Sequence, residues 1–215
     1  MLEQFQRIGR MLFSEGLIDS HGGNMSVREG DKIFITRSGS MLGDLREGDV
    51  VEVAMEKGGD DKNASCEINT HRAIYKNCKA VAIIHAHPAN AIALSITDNK
   101  IVPQDAEGLH YYKAAPIVRV RDSIGSEETV RLLPSFLGSN VIAVVKAHGS
   151  FAIGHDLEEA YKFTSSLENS CKIIVAVRSS GASKKSEPQH RGPSRGKSAI
   201  PPGIGVMDRS RYRDR

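Results

Sequence analysis

Apolar residues follow helix and strand periods along most of the first 178 residues. A helical spacing over residues 2–16, ending near Gly16, is formed by Leu2, Phe5, Ile8, Leu12 and Phe13. Short apolar runs between turn residues predict strands at residues 25–28, 32–36, 50–54, 80–85, 116–121 and 141–146. Further helices are predicted over residues 67–77 and 88–96, and a long one after Asp156, which is a good N-cap residue.

Strands in pairs with helices between them are typical of a layered α/β domain with a mixed sheet. The predicted elements all lie within residues 1–178, and a chain of 215 residues is long enough for one domain with a substantial core. We therefore predict a single α/β domain over residues 1–178.

The composition changes sharply after this domain. Residues 179–215 contain nine basic and three acidic side chains, and 16 of the 37 residues are Gly, Pro or Ser. Such a segment buries too little apolar surface to fold alone, so we predict a disordered basic tail. A basic tail can bind RNA or another anionic partner, but a solvated extension is the commoner case, and no RNA-binding aromatic motif is present. We therefore expect no nucleic-acid partner.

The sequence also indicates a compartment. It has no apolar run of 18 residues, so no membrane span is expected, and its N-terminus lacks the continuous apolar segment of a secretory signal. Three cysteines without a C-x-x-C spacing form neither a disulfide framework nor a cysteine zinc site. A reducing, cytoplasmic location is the expectation.

Two histidines end an apolar run in AIIHAHPANA, residues 82–91. Side chains at i and i+2 of a strand point to the same side, so His85 and His87 present two imidazoles in one direction. A third, His148, follows the apolar run VIAVVKA, where we expect a strand that ends in His148-Gly149. Each histidine alone is explained by a backbone or water hydrogen bond, but together they favour a zinc site with an open position over a magnesium or calcium site.

A glutamate and several small polar turns complete the candidate chemistry. Glu67 opens a predicted helix, with His71 four residues later on the same face. It either complements the helix dipole, or serves a nearby metal ion as a ligand or as the base that moves a proton. Three short segments of small polar residues are either ordinary turns or sites where backbone N–H groups bind phosphate. They are Gly22-Gly23-Asn24, Ser38-Gly39, and Ser65-Cys66 before the helix.

The ordered motifs GGNMSVR, ITRSG, ASCE, HAHPANAIALS and AHGSFAIGHDLEEAY resemble the class II aldolase family of the fuculose-phosphate aldolase type. That family also includes ribulose-phosphate 4-epimerases and adducin head domains. The resemblance covers residues 1–178 and implies a three-layer α/β/α domain, usually in a tetramer with fourfold symmetry.

The resemblance also implies roles for single residues. It makes His85, His87 and His148 zinc ligands, and makes Glu67 the acid/base, which also ligates zinc before substrate arrives. The substrate phosphate would be bound by Asn24, Ser38, Gly39, Ser65 and Cys66, of which Cys66 departs from the serine usual in the family. A tyrosine from a neighbouring subunit donates a proton in the family's aldolases; Tyr111 and Tyr112 are both candidates, and Tyr212 is a weaker one.

The activity expected on this basis is a zinc-dependent aldolase. It would cleave a phosphorylated ketose such as fuculose 1-phosphate reversibly to dihydroxyacetone phosphate and a short aldehyde such as lactaldehyde. A pentulose-phosphate 4-epimerase would use the same zinc-assisted bond breaking and re-add the aldehyde to its other face. A non-catalytic adducin-like scaffold is disfavoured, because it would be expected to lose the metal ligands.

Overall fold

A mixed eight-stranded β-sheet forms the centre of the computed structural model, which describes residues 1–181. Its strands are β1 (Asn24–Glu29), β2 (Lys32–Thr36), β3 (Val50–Ala54), β4 (Ala82–Ala86), β5 (Lys100–Ile101), β6 (Ala115–Val118), β7 (Ile142–Val145) and β8 (Gly149–Gly154). The spatial order is β3-β2-β1-β4-β8-β7-β6-β5. All neighbours are antiparallel except β6 and β7, which run parallel.

Helices cover both faces of this sheet. They are α1 (Leu2–Ser14), α2 (Ile68–Asn77), α3 (Ala89–Thr97), α4 (Ala106–Tyr111), α5 (Glu127–Leu137) and α6 (Leu157–Ser179). One apolar core lies under α1, α3 and α6, with α4 packed on α6, and a second core lies under α2 and α5. The predicted three-layer α/β/α domain with a mixed sheet is therefore confirmed. In this part of the chain no helix is both long and apolar enough to cross a membrane.

The central strand β4 shows how the sequence positions the site. All five of its residues are buried, because helices cover the sheet on both sides. Ile84 faces the core under α6, whereas Ile83 faces the core under α2 and α5. His85 is two residues after Ile83 and therefore points to the same face of the sheet. Its imidazole emerges on the α2 side, where the strand ends.

Most predicted elements form close to their expected bounds. Helix α1 ends at Ser14, two residues before Gly16, whose φ of +68° is a left-handed conformation that glycine adopts without strain. Asp156 caps α6 as expected, its Oδ1 accepting the Glu159 N–H at 2.7 Å. The prediction of one strand ending in His148-Gly149 is wrong, because β7 stops at Val145 and Gly149 begins β8. His148 lies in the turn between them.

A buried ion pair fixes the polar loop that precedes α2. The guanidinium of Arg72 donates to both carboxylate oxygens of Asp61, at 2.7 and 2.6 Å, and to the Ala54 carbonyl at 2.7 Å. The Arg72 side chain is only 5% exposed, and the guanidinium lowers the pKa of Asp61 by hydrogen bonding. The loop is thus tied to the second turn of α2.

We expect Asp61→Ala to lower the free energy of unfolding by about 3 kcal/mol, because it leaves a buried cation without its partner. This loss of stability is at the low end of the usual range for breaking a buried ion pair, because the Asp61 side chain is 20% exposed. Urea denaturation followed by circular dichroism measures the change. Asp44→Ala is the matched control, since its ion pair with Arg46 is largely exposed and should matter little. Equal effects of the two substitutions would contradict this account of Asp61.

Candidate metal centre

Three imidazoles converge where β4 ends and the β7–β8 hairpin turns. His85, His87 and His148 each offer one nitrogen, and these atoms all lie within 4.8 Å of one another. The Nε2 atoms of His85 and His87 are 3.0 Å apart. The ring of His148 lies 4.7 Å from that of His85 and 5.3 Å from that of His87, between centroids. The predicted convergence of the three histidines is confirmed.

His85 is held rigidly by its neighbour strand β8. Its Nδ1 lies 3.0 Å from the Ser150 carbonyl, which can only accept, so Nδ1 carries the proton and Nε2 keeps its lone pair. Its ring also stacks on Phe151, opposite it in the β4–β8 pairing, with 4.1 Å between centroids. His85 is 2% exposed. The lone pair of a fixed, buried imidazole therefore points toward His87.

The hairpin turn brings His148 to the same place. Ala147, before it, has a φ of +56°, and its N–H donates to Ser95 Oγ at 2.9 Å. A β-carbon on Gly149 would lie 2.4 Å from the Ala86 carbonyl oxygen and 2.7 Å from His87 Cδ2. Only glycine allows this approach, because any side chain would separate the turn from β4. The His148 Nδ1 is buried and has no hydrogen-bond partner of normal geometry among the described residues.

The electrostatics of the three rings suit a metal ion. Burial lowers the pKa of each, and in His85 and His148 the positive charge of a neighbouring imidazolium lowers the pKa further. The rings are therefore neutral near pH 7, which is the state that ligates metals. Three neutral imidazole nitrogens at this spacing fit a borderline cation such as zinc better than a hard one. The arrangement is a candidate metal site.

Glu67 is the N-cap residue of α2, and its carboxylate does not belong to the group formed by the three histidines. It is 2% exposed, and its two carboxylate oxygens accept from the Gly125 N–H at 3.0 Å and from the Thr70 hydroxyl at 2.9 Å. Its negative charge raises the pKa of His148, against the larger effect of burial. An interaction with the helix dipole does not by itself require a buried carboxylate. The burial of Glu67 and its position near an imidazole favour the catalytic interpretation.

Two of the predicted phosphate-binding turns lie side by side. Ser38 donates its N–H to the Asn63 carbonyl at 3.0 Å, and the Ser65 N–H bonds the Thr36 carbonyl at 3.1 Å. These bonds bring Ser38-Gly39 next to Ser65 and Cys66, where Gly39 has a φ of +75°. The structure thus brings these four residues together ahead of α2.

The last member of the predicted phosphate set, Asn24, is the first residue of β1. It lies opposite His85 in the β1–β4 pairing. Asn24 is 6% exposed, and its Oδ1 has no hydrogen-bond partner among the described residues. Cys66 is exposed as a residue, but its thiol is partly buried. This partial burial, together with the charge of Glu67, raises the pKa of the thiol, so the thiol stays protonated. A protonated thiol is a weak hydrogen-bond donor.

The two candidate tyrosines have opposite environments. Tyr112, at the end of α4, is 7% exposed and belongs to the core under α6. Tyr111 is 39% exposed, and Lys162 of α6 lies over its ring, with Nζ 5.3 Å from the centroid. Tyr212 and nearly all of the predicted basic tail lie outside the described residues.

The fold and the three-histidine centre define a class II aldolase type of domain. Residues 3–175 match the family model described as "Class II Aldolase and Adducin N-terminal domain". The chain belongs to this family, and the resemblance seen in the sequence motifs is confirmed.

Similar proteins include both aldolases and dehydratases by name. The L-fuculose phosphate aldolase of Methanocaldococcus jannaschii is 31% identical over 183 residues, covering 80% of this chain and 94% of the relative. The crystal structure of the l-fuculose-1-phosphate aldolase of Thermus thermophilus matches with a TM-score of 0.82 and 33% identity, covering 86% of this chain and 98% of that one. The methylthioribulose-1-phosphate dehydratase of Acidiphilium cryptum is 30% identical over 180 residues, covering 75% of this chain and 83% of the relative.

Proposed function

We propose that this protein is a zinc-dependent, cytoplasmic aldolase that cleaves a phosphorylated ketose of the fuculose 1-phosphate type. The products are dihydroxyacetone phosphate and a short aldehyde such as lactaldehyde, and the reaction is reversible. The observation that carries the proposal is the convergence of three neutral imidazoles, together with a buried Glu67 carboxylate whose charge raises the pKa of His148 against the larger effect of burial. The cytoplasm is supported by the three cysteines, which are all free thiols.

His85, His87 and His148 would hold the zinc, with Glu67 as a further ligand before substrate arrives. When bound, zinc supplies a positive charge that stabilises the negative charge developing on the substrate oxygens. Glu67 removes a proton from the carbon of dihydroxyacetone phosphate that attacks the aldehyde, and returns it in the cleavage direction. Asn24 and the turns at Ser38-Gly39 and Ser65-Cys66 hold the phosphate, which orients the reacting carbon.

The remaining proton belongs to the hydroxyl group at the carbon that becomes the aldehyde. In cleavage this hydroxyl loses its proton as the carbon–carbon bond breaks, and in condensation it regains one. We assign this proton to Tyr111 of a neighbouring subunit in a homotetramer. Tyr111 is supported by its exposed ring, because the hydroxyl of Tyr112 is enclosed in the core of its own chain.

We expect Tyr111→Phe to lower kcat by about two orders of magnitude, because phenylalanine keeps the ring but cannot donate the proton. Tyr112→Phe is the matched control one residue away, and should leave kcat nearly unchanged because the Tyr112 side chain is buried in its own chain. Steady-state kinetics of both variants give the comparison. A larger loss in Tyr112→Phe would contradict the assignment.

The reaction itself is tested by measuring dihydroxyacetone phosphate released from fuculose 1-phosphate in a coupled assay. Epimerisation of ribulose 5-phosphate is assayed beside it, because the same site suits a 4-epimerase. Dehydration of methylthioribulose 1-phosphate is the third arm, since a dehydratase acting on that ketose phosphate is 30% identical to this chain. Turnover only in the second or third arm would replace the proposed activity, and metal-loaded protein inactive in all three would favour the scaffold.

A further inference from the structure

We propose that Asp19 is a positioning residue for His87, whose Nδ1–H it accepts through one bridging water molecule, so that Nε2 is directed to the metal ion. This inference rests on the zinc site of the proposed function and deepens it. Asp19 lies in the loop between α1 and β1, outside the phosphate-binding turns. It touches neither substrate nor metal and acts through the imidazole.

The Asp19 carboxylate is fixed by the backbone of its own turn. Its Oδ1 accepts the N–H of Gly22 at 2.6 Å and the N–H of His21 at 3.1 Å. A carboxylate oxygen has room for more than one donor, so this oxygen and Oδ2 keep the capacity to accept further hydrogen bonds. The negative charge therefore stays in one place although the loop is exposed.

Gly22 shows how close this carboxylate is to His87. A β-carbon built on Gly22 would lie 2.6 Å from Asp19 Oδ1 and 2.7 Å from His87 Nδ1. The separation of these two atoms is therefore no more than the sum of those distances, a span that one bridging water covers. No side chain stands in this space, because residue 22 is a glycine.

The orientation of His87 leaves Nδ1 as the atom that needs a partner. Its Nε2 faces the Nε2 of His85 at 3.0 Å, so Nε2 is the nitrogen inside the metal site. Its main chain is anchored to the same loop, through the bond from His87 N–H to the Leu17 carbonyl at 2.8 Å. Burial lowers the pKa of His87, and the charge of Asp19 acts in the opposite direction and raises it.

Two of the metal-site imidazoles thus differ in what supports them. His85 has a neutral acceptor, the carbonyl of Ser150, whereas His87 faces a carboxylate. A carboxylate behind a ligating histidine fixes its tautomer and makes its other nitrogen a stronger donor to the metal. Asp19 is therefore expected to strengthen zinc binding while leaving the fold unchanged.

The test is Asp19→Asn in the full-length chain, because asparagine keeps an oxygen for the two backbone amides and removes the charge. Zinc affinity is measured by competition with a chromogenic chelator. The dissociation constant should rise roughly 10- to 100-fold, and the visible spectrum of the cobalt-substituted protein should change. The melting temperature of the metal-free protein should stay the same, which a purely structural role of the turn does not predict. Asp19→Glu, which keeps the charge, should recover part of the affinity.

Asp156→Asn is the matched control. Asp156 also accepts a backbone N–H, at the start of α6, and its Oδ2 lies 3.1 Å from the imidazole of His155, which is not part of the metal site. The zinc affinity of the Asp156→Asn variant should equal that of the wild-type chain. Wild-type affinity in Asp19→Asn would overturn the inference and leave the proposed function standing. A wild-type chain that binds no zinc would instead overturn the proposed function.

Discussion

Replacing Glu67 by glutamine is expected to lower kcat by roughly two to four orders of magnitude, the usual cost of losing a positioned acid/base. Glutamine has nearly the same shape as glutamate. Its amide oxygen can still accept a hydrogen bond from Gly125 or Thr70, the two groups that hold the carboxylate. What glutamine cannot do is accept the proton from the substrate carbon.

This substitution separates the two interpretations of Glu67. If Glu67 only complemented the dipole of α2, the change would cost about 0.3–1 kcal/mol of stability and leave turnover nearly intact. If it moves the proton, turnover collapses while the three histidines still hold zinc. Kinetics, denaturant unfolding and elemental analysis of one preparation give all three quantities.

A second measurement isolates the step that Glu67 performs. Dihydroxyacetone phosphate incubated with the enzyme in deuterated water should exchange its reacting proton without any aldehyde. In Glu67→Gln this exchange should fall in parallel with kcat, because both need the same base. A variant that retains zinc and exchanges at the wild-type rate would end the proposed mechanism.

His87→Ala is expected to remove both the metal and the activity. His87→Ala would leave two imidazoles and a carboxylate that substrate displaces, which is fewer than the three permanent ligands usual for a catalytic zinc site. The zinc content should therefore fall from about one per chain to near zero. The fold should survive, because His87 lies just beyond the end of β4 and outside the two apolar cores. Elemental analysis after dialysis, together with circular dichroism, measures both outcomes.

His155→Ala supplies the control for this loss. His155 is an exposed histidine at the other end of β8 that pairs with Glu159 and Asp156. The His155→Ala variant should keep both its zinc and its activity. Stoichiometric zinc after His87→Ala would show that the three-histidine site is wrong.

The fold was predictable where apolar periodicity was strong. Residues 32–36 and 50–54 form β2 and β3 with the expected bounds, because each is a short, mostly apolar run rich in β-branched residues between turn residues. The helix α5 was missed, although Ser126 before Glu127 and Glu128 is a good cap signal, because Pro134 interrupts the pattern. The short β5 and α4 were missed since two to six residues carry no measurable period. Their formation depends on packing against β6 and α6.

The site was predictable as a set of residues and not as an arrangement. The spacing of His85 and His87 on a strand required no more than the period of two. The partner of Glu67 at Gly125 is 58 residues away along the chain, and no local pattern connects them. The choice between Tyr111 and Tyr112 likewise depends on burial. The two residues are neighbours at the end of α4, and the sequence does not show which side chain is enclosed in the core.

The tie between Arg72 and Asp61 has a consequence for how this enzyme can change its substrate. Glu67 is the residue that immediately precedes α2, and Arg72 of this helix holds the loop that leads into Ser65 and Cys66. The proposed proton-moving group and two of the five proposed phosphate-binding residues are therefore parts of one segment with a fixed length. A mutation that shifted one would shift the other, so the number of bonds between phosphate and reacting carbon is not adjustable by small steps. We expect substrate preference in descendants of this protein to diverge instead at the aldehyde end of the sugar, which this segment does not hold.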